Sequence, residues 1–165
     1  MKKSALVVGT GTIGEPLIGL LSDFRDDLGL DEVLFYKRTP LRDEVAKVNS
    51  LVSRGAKLVV THEEAGKKFE DMGNTVSDVF QSALDKANVV VDCTPVGNSM
   101  KTDHYQFASA KPNSFFIAQG SEKNFGVPYA YKINDKVLRE DEDLQFVQVV
   151  SCNTHNMAAL IDTFQ

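Results

Sequence analysis

Cys152 and the glycines between Gly9 and Gly14 are the residues of this 165-residue chain whose types and spacing point most directly to chemistry. Cys152 lies in Val149-Val150-Ser151-Cys152-Asn153-Thr154, where an apolar run ends. After it, Met157, Leu160, Ile161 and Phe164 recur at helical spacing over residues 156–164. The spacing places Cys152 at the front of a helix, with Ser151 as a reasonable N-cap. The positive end of the helix field stabilises a thiolate there, and a thiolate attacks electrophilic carbon. Cys93, in Asp92-Cys93-Thr94-Pro95, lacks such a setting and reads as a buried structural thiol.

Gly9-Thr10-Gly11-Thr12-Ile13-Gly14 is a full G-x-G-x-x-G match. It follows a short apolar run, Ala5-Leu6-Val7-Val8, and precedes an amphipathic stretch over residues 12–28. In that setting Gly9 serves a sharp turn and Gly11 lets a pyrophosphate approach the backbone. Gly14 allows close packing of helix on strand. The helix start offers unpaired N–H groups to phosphate, so Thr12 and Ile13 belong to the same binding loop. A dinucleotide loop of this kind is followed about 20 residues later by an acidic residue for the ribose 2′-hydroxyl. Here the second apolar run, Glu32-Val33-Leu34-Phe35-Tyr36, ends instead in Lys37-Arg38-Thr39. Two cations and a hydroxyl suit a 2′-phosphate, so NADP is the preferred cofactor and NAD the alternative.

These residues need a scaffold, and the rest of the sequence supplies one. Apolar runs at 57–60, 88–92, 113–117 and 146–150 join the first two to make six expected strands, with 127–131 a candidate edge strand because it contains Pro128. Helical stretches alternate with them, over residues 41–54 and in two polar segments between residues 61 and 87. Alternation of this kind implies an α/β fold: a doubly wound, mostly parallel sheet of Rossmann type. The length fits a single dinucleotide-binding domain over residues 1–165.

Composition narrows the functional classes. A net charge of −5 disfavours a nucleic-acid binder. No apolar run approaches the roughly 20 residues of a membrane-spanning helix, and no targeting segment is expected at the start. Two distant cysteines fit free thiols in a reducing compartment, hence the cytoplasm. His62 and His104 show no metal-ligand spacing. His155 sits three residues after Cys152 and reads as a polar residue near a helix end rather than a base.

Taken together, the glycine loop, Val91-Asp92-Cys93-Thr94-Pro95, Gln119-Gly120-Ser121-Glu122-Lys123 and the Ser-Cys-Asn-Thr turn resemble the archaeal-type glyceraldehyde-3-phosphate dehydrogenases. The likeness spans nearly the whole chain. It implies that Cys152 attacks an aldehyde, that hydride passes to the nicotinamide, and that phosphate cleaves the resulting thioester. It also implies that Ser151 and Thr154 hold phosphate and that Asn153 lies near the nicotinamide. Thr94, Pro95, Gly97, Gln119 and Gly120 would line the cofactor cleft. Members of that family are homo-oligomers that continue through a catalytic domain supplying the base histidine and the substrate-phosphate arginines. Only 13 residues follow Cys152 here, so the expectation is a cofactor-binding portion that turns over poorly alone. The alternatives are a non-catalytic dinucleotide sensor and a portion of a related semialdehyde dehydrogenase.

Overall fold

The computed structural model describes residues 2–109, 114–119, 123–140 and 143–164. Its contacts divide the chain into two units, Met1–Thr94 and Pro95–Gln165.

The first unit alternates strand and helix: β1 (Ser4–Val8), α1 (Gly14–Asp23), β2 (Glu32–Tyr36), α2 (Val45–Ser53), β3 (Lys57–Val60), α3 (Glu63–Glu70), β4 (Val76–Val79), α4 (Phe80–Lys86) and β5 (Val89–Asp92). A 3-10 turn at Arg42–Glu44 leads into α2. The strands are parallel and ordered β4-β3-β2-β1-β5. All five residues of β1 are buried, as a parallel strand covered on both faces requires. Alternate side chains feed two layers. Val7, Val33, Phe35, Leu58 and Val60 pack with Ile18 of α1, Val48 and Leu51 of α2 and Phe69 of α3. Tyr36 lies on a different packing contact, its ring centroid 4.4 Å from that of Phe80 at the start of α4.

The expected strands at 5–8, 32–36, 57–60 and 88–92 are all present in this unit, each within a residue of its expected bounds. β4 is an addition, lying between the two polar helices where no strand was expected. Its sequence, Val76-Ser77-Asp78-Val79, is short and polar, and it occupies the edge beyond β3. An edge strand needs little apolar surface, so hydrophobic patterning does not mark it.

The second unit contains α5 (Gly97–Met100), a π-helical turn at Lys101–Tyr105, α6 (Gln106–Ala108), β6 (Phe115–Gln119), β7 (Val127–Tyr129), α7 (Val137–Glu140), β8 (Phe146–Val149) and α8 (Cys152–Thr163). β8 pairs in parallel with β6 on one side and β7 on the other. β7 is therefore the edge strand that Pro128 foreshadowed. Aromatic rings fill this core: Phe116 stacks on Tyr105 and Phe146, at centroid distances of 5.3 and 4.9 Å. The amine of Lys101 lies 4.3 Å from the Phe146 ring centre and donates to the Phe125 carbonyl, and burial pushes its pKa down. α8 begins at Cys152, four residues before the apolar spacing becomes regular. Among the described residues no helix is long and apolar enough to cross a membrane.

Candidate functional site

In the first unit the chain steps outward from β1 through β2, β3 and β4, then resumes at β5 on the other side of β1. The order reverses between β1 and β5, and in open α/β sheets ligands bind beyond the strand ends at such a point. The loops that leave β1 and β5 meet there. A Cβ on Gly9 would stand 3.3 Å from Thr94 Cγ2 and 3.4 Å from the Cys93 carbonyl carbon. Gly9 has φ +100°, a conformation that L side chains rarely adopt. Its N–H donates to the Tyr36 carbonyl at 3.3 Å, tying the loop to the end of β2.

The other two glycines have opposite surroundings. A Cβ on Gly14 would meet the Gly9 carbonyl oxygen at 2.0 Å, so only glycine allows α1 to start this close to the loop. A Cβ on Gly11 would meet nothing within 4 Å. The protein's own packing therefore does not require glycine at position 11. Among the described residues the N–H groups of Gly11, Thr12 and Ile13 make no hydrogen bond. An open cradle with unpaired donors at a helix start has the chemistry a pyrophosphate needs.

Asp92 ends β5, is 1% exposed, and accepts from the Thr94 N–H at 2.7 Å and the Thr94 hydroxyl at 2.6 Å. Its carboxylate thus fixes the loop after β5, a role that sequence reading did not assign. Cys93 packs beside Gly14 and the core. Burial first, then the Asp92 charge, pushes its thiol up to about 12. The expected inert thiol at this position follows.

At the end of β2, Lys37 is buried and pairs with Glu44, while Arg38 and Thr39 are exposed. Glu44 also takes Lys47 at 3.0 Å, and Lys47 reaches Glu15 in the first turn of α1 at 3.3 Å. Lys37 and Lys47, in that order, hold the Glu44 carboxyl below its ordinary range. This network was not legible from local spacing, because only the fold brings residues 15, 37 and 44 together.

In the second unit Ser151 is the N-cap of α8, and its Oγ accepts from the Thr154 N–H at 3.3 Å. The two hydroxyls lie 3.0 Å apart. Cys152 and Asn153 are exposed at the first turn. Ser151 and Thr154 line a cleft of about 420 Å³ with Lys123, Asn124, Pro128, Gln148 and Val150. Lys123, Asn124 and Gln148 add polar groups that sequence reading left without a role. His155 Nε2 lies 3.1 Å from the Tyr131 carbonyl, an acceptor, so in that contact the nitrogen carries the proton. Gly97 is buried, Pro95 is exposed, Gln119 is half-buried at the end of β6, and Gly120 lies outside the described residues. Among the described residues no cluster of His, Cys, Asp and Glu could hold a metal.

A glycine loop at the switch point of a parallel α/β sheet defines a Rossmann-type nucleotide-binding fold. The chain is homologous over nearly its whole length to the archaeal-type glyceraldehyde-3-phosphate dehydrogenases. It is 33% identical over 168 residues to the glyceraldehyde-3-phosphate dehydrogenase of Archaeoglobus fulgidus, covering 98% of this chain and 44% of the relative. The enzyme of the same name from Thermococcus onnurineus is 30% identical, covering 100% of this chain and 46% of the relative. That of Methanobacterium bryantii is 29% identical, covering 97% and 44%. The chain therefore spans less than half the length of these curated relatives. No protein-family model matches it.

Proposed function

We propose that this chain is the NAD(P)-binding portion of a phosphorylating aldehyde dehydrogenase of the glyceraldehyde-3-phosphate type. The observation that carries the reading is the open cradle at Gly11, which the protein's own packing leaves empty beside unpaired N–H donors. The nicotinamide dinucleotide, when bound, supplies a hydride acceptor. Gly9, Gly11, Thr12, Ile13 and Gly14 would hold its pyrophosphate. Arg38 and Thr39, both exposed, would take the adenosine 2′-phosphate beside the Glu44-paired Lys37, which makes NADP the preferred cofactor. By the family resemblance, Thr94, Pro95, Gly97, Gln119 and Gly120 would border the remainder of the cofactor, and Asn153 would lie near its nicotinamide.

Cys152 is the nucleophile. Its exposure at the first turn of α8 leaves the sulfur accessible, and the helix N-terminus favours negative charge there. The thiolate adds to the aldehyde carbon, and the carbonyl oxygen becomes the alkoxide of a thiohemiacetal. Loss of hydride from that carbon, to the acceptor that the dinucleotide would supply, re-forms the C=O bond and leaves a thioester. A phosphate oxygen then attacks the thioester carbon, the sulfur departs as thiolate, and an acyl phosphate is released. Ser151 and Thr154 hold that phosphate through their hydroxyls and the start of α8. The full family enzyme is cytoplasmic and homo-oligomeric in this reading. Turnover by these residues alone is slow, because a positioned base and substrate clamp supply much of the rate.

A non-catalytic sensor is the less favoured reading, because it leaves the cysteine turn without a purpose. It predicts that Cys152→Ser changes no activity. Intact-mass analysis decides the point, after incubation with glyceraldehyde-3-phosphate and NADP in phosphate-free buffer. A slow acyl adduct on Cys152 is expected, lost in Cys152→Ser; an adduct that survives the substitution contradicts the nucleophile assignment.

A further inference from the structure

Lys37 stands where a dinucleotide-binding strand meets the adenosine ribose, yet its charge is already engaged. Its side chain is 8% exposed and its amine pairs with Glu44, whose side chain is 23% exposed. Both Glu44 oxygens are used, one by Lys37 and the other by Lys47 at 3.0 Å. Lys47 continues to Glu15 at 3.3 Å, directly after Gly14 of the phosphate loop. Charges thus alternate, Lys37–Glu44–Lys47–Glu15, and sum to zero. By contrast Arg38 is exposed and makes no hydrogen bond or ion pair among the described residues. Glu44 comes from the 3-10 turn before α2, seven residues beyond Lys37.

We infer that Glu44 is a specificity-determining residue: by occupying Lys37 it limits the preference for a 2′-phosphate over a 2′-hydroxyl on the bound dinucleotide. The inference rests on the dinucleotide reading above and deepens it. A 2′-phosphate brings close to two negative charges. It meets Arg38 as an unneutralised cation, but finds Lys37 compensated and a carboxylate nearby that repels it. A 2′-hydroxyl carries no charge and meets no such repulsion. Glu44 therefore acts against one ligand rather than for the other, which is how discrimination between close analogues is often built. Removing its charge releases Lys37 and leaves Lys47 paired with Glu15.

The test is calorimetric titration of the parent chain, Glu44→Gln, Glu44→Ala and Glu44→Asp with NADP and NAD separately, read as the ratio Kd(NAD)/Kd(NADP). Circular dichroism first establishes that each variant is folded. The two charge-removing variants are expected to raise the ratio about tenfold, and either one suffices if the other does not fold. Glu44→Asp keeps the charge and should hold the ratio within about twofold of the parent. A ratio unmoved or lowered by Glu44→Gln and Glu44→Ala overturns the inference, and so does an equal rise in all three variants. If neither cofactor binds the parent chain, the dinucleotide reading fails and this inference falls with it. Binding with an unmoved ratio overturns the inference alone.

Discussion

Gly11 and Gly14 lie three residues apart in one loop and should answer the same substitution in opposite ways. A Cβ at Gly14 would collide with the Gly9 carbonyl oxygen, so Gly14→Ala should lower unfolding stability by about 1–3 kcal/mol, the usual cost of overpacking. Gly11→Ala meets only open space and should change stability by less than about 0.5 kcal/mol. It should nevertheless weaken dinucleotide binding at least about tenfold, because the methyl enters the pyrophosphate's place. Denaturant unfolding and calorimetry on the two variants separate these effects; equal stability losses would contradict the assigned roles. The cysteines differ in the same way. Cys93 is half-buried with its thiol pushed up to about 12, while Cys152 is exposed. Ellman's reagent should therefore titrate one thiol in the native chain and two after unfolding. Rapid reaction of both in the native chain would be the contrary result. The glycine loop and the helix start at Cys152 were legible in the sequence because each is a local motif. Lys37 was legible as a cation at the end of β2, but not as one already paired. Its partner Glu44 is brought to it by the turn before α2.

At the scale of elements, α8 and the start of α2 carry the clearest consequences. α8 has twelve residues and none of them is buried, so its persistence depends on its cap more than a packed helix's would. Ser151→Ala should raise the opening of α8 about fivefold, the equivalent of a lost N-cap. Hydrogen exchange of the α8 amides reads this directly; unaltered exchange would mean that the cap contributes nothing. At α2, the Glu44 carboxyl is held below its ordinary value near 4.3 by Lys37 first and then by Lys47. A carboxyl lowered in the folded state contributes stability that is present above its unfolded value. That contribution is lost as pH falls through the folded one. Denaturant midpoints should therefore be flat above about pH 5 and fall below about pH 4, less so in Glu44→Gln. A variant that tracks the parent through acid would contradict the pairing. Strong apolar runs made β1, β2, β3 and β5 readable from sequence, and Pro128 marked β7 as an edge. β4 was missed because Ser77 and Asp78 break any alternating apolar pattern; a register shift between Leu58 and Val59 is what lets both Val76 and Val79 pack against the core. The strand expected at 113–117 is β6, which lies at Phe115–Gln119. A continuous apolar run such as Phe115-Phe116-Ile117-Ala118 has no periodicity to fix its ends.

At the scale of the whole molecule, each unit displays apolar side chains to solvent. Leu20, Phe24 and Leu28 do so in the first unit; Met157, Leu160, Ile161 and Phe164 do so in the second, from 59% exposed at Met157 to 85% at Phe164. Clusters of this kind mark surfaces that associate. Sedimentation velocity should show concentration-dependent self-association, reduced in a Leu160→Glu, Phe164→Glu variant. A parent chain that stays monomeric at every concentration would favour the sensor reading. The spacing of Met157, Leu160, Ile161 and Phe164 was legible in the sequence but their exposure was not, because helical spacing is the same whether a face is covered or bare.

The central claim is that the loop from Gly9 to Gly14 binds a nicotinamide dinucleotide, and calorimetric titration of the chain with NADP and NAD side by side tests it most directly. The account predicts saturable binding of both, tighter for NADP, and at least about tenfold weaker binding in Gly11→Ala. No binding of either cofactor at millimolar concentration, or binding that Gly11→Ala leaves unchanged, would contradict it.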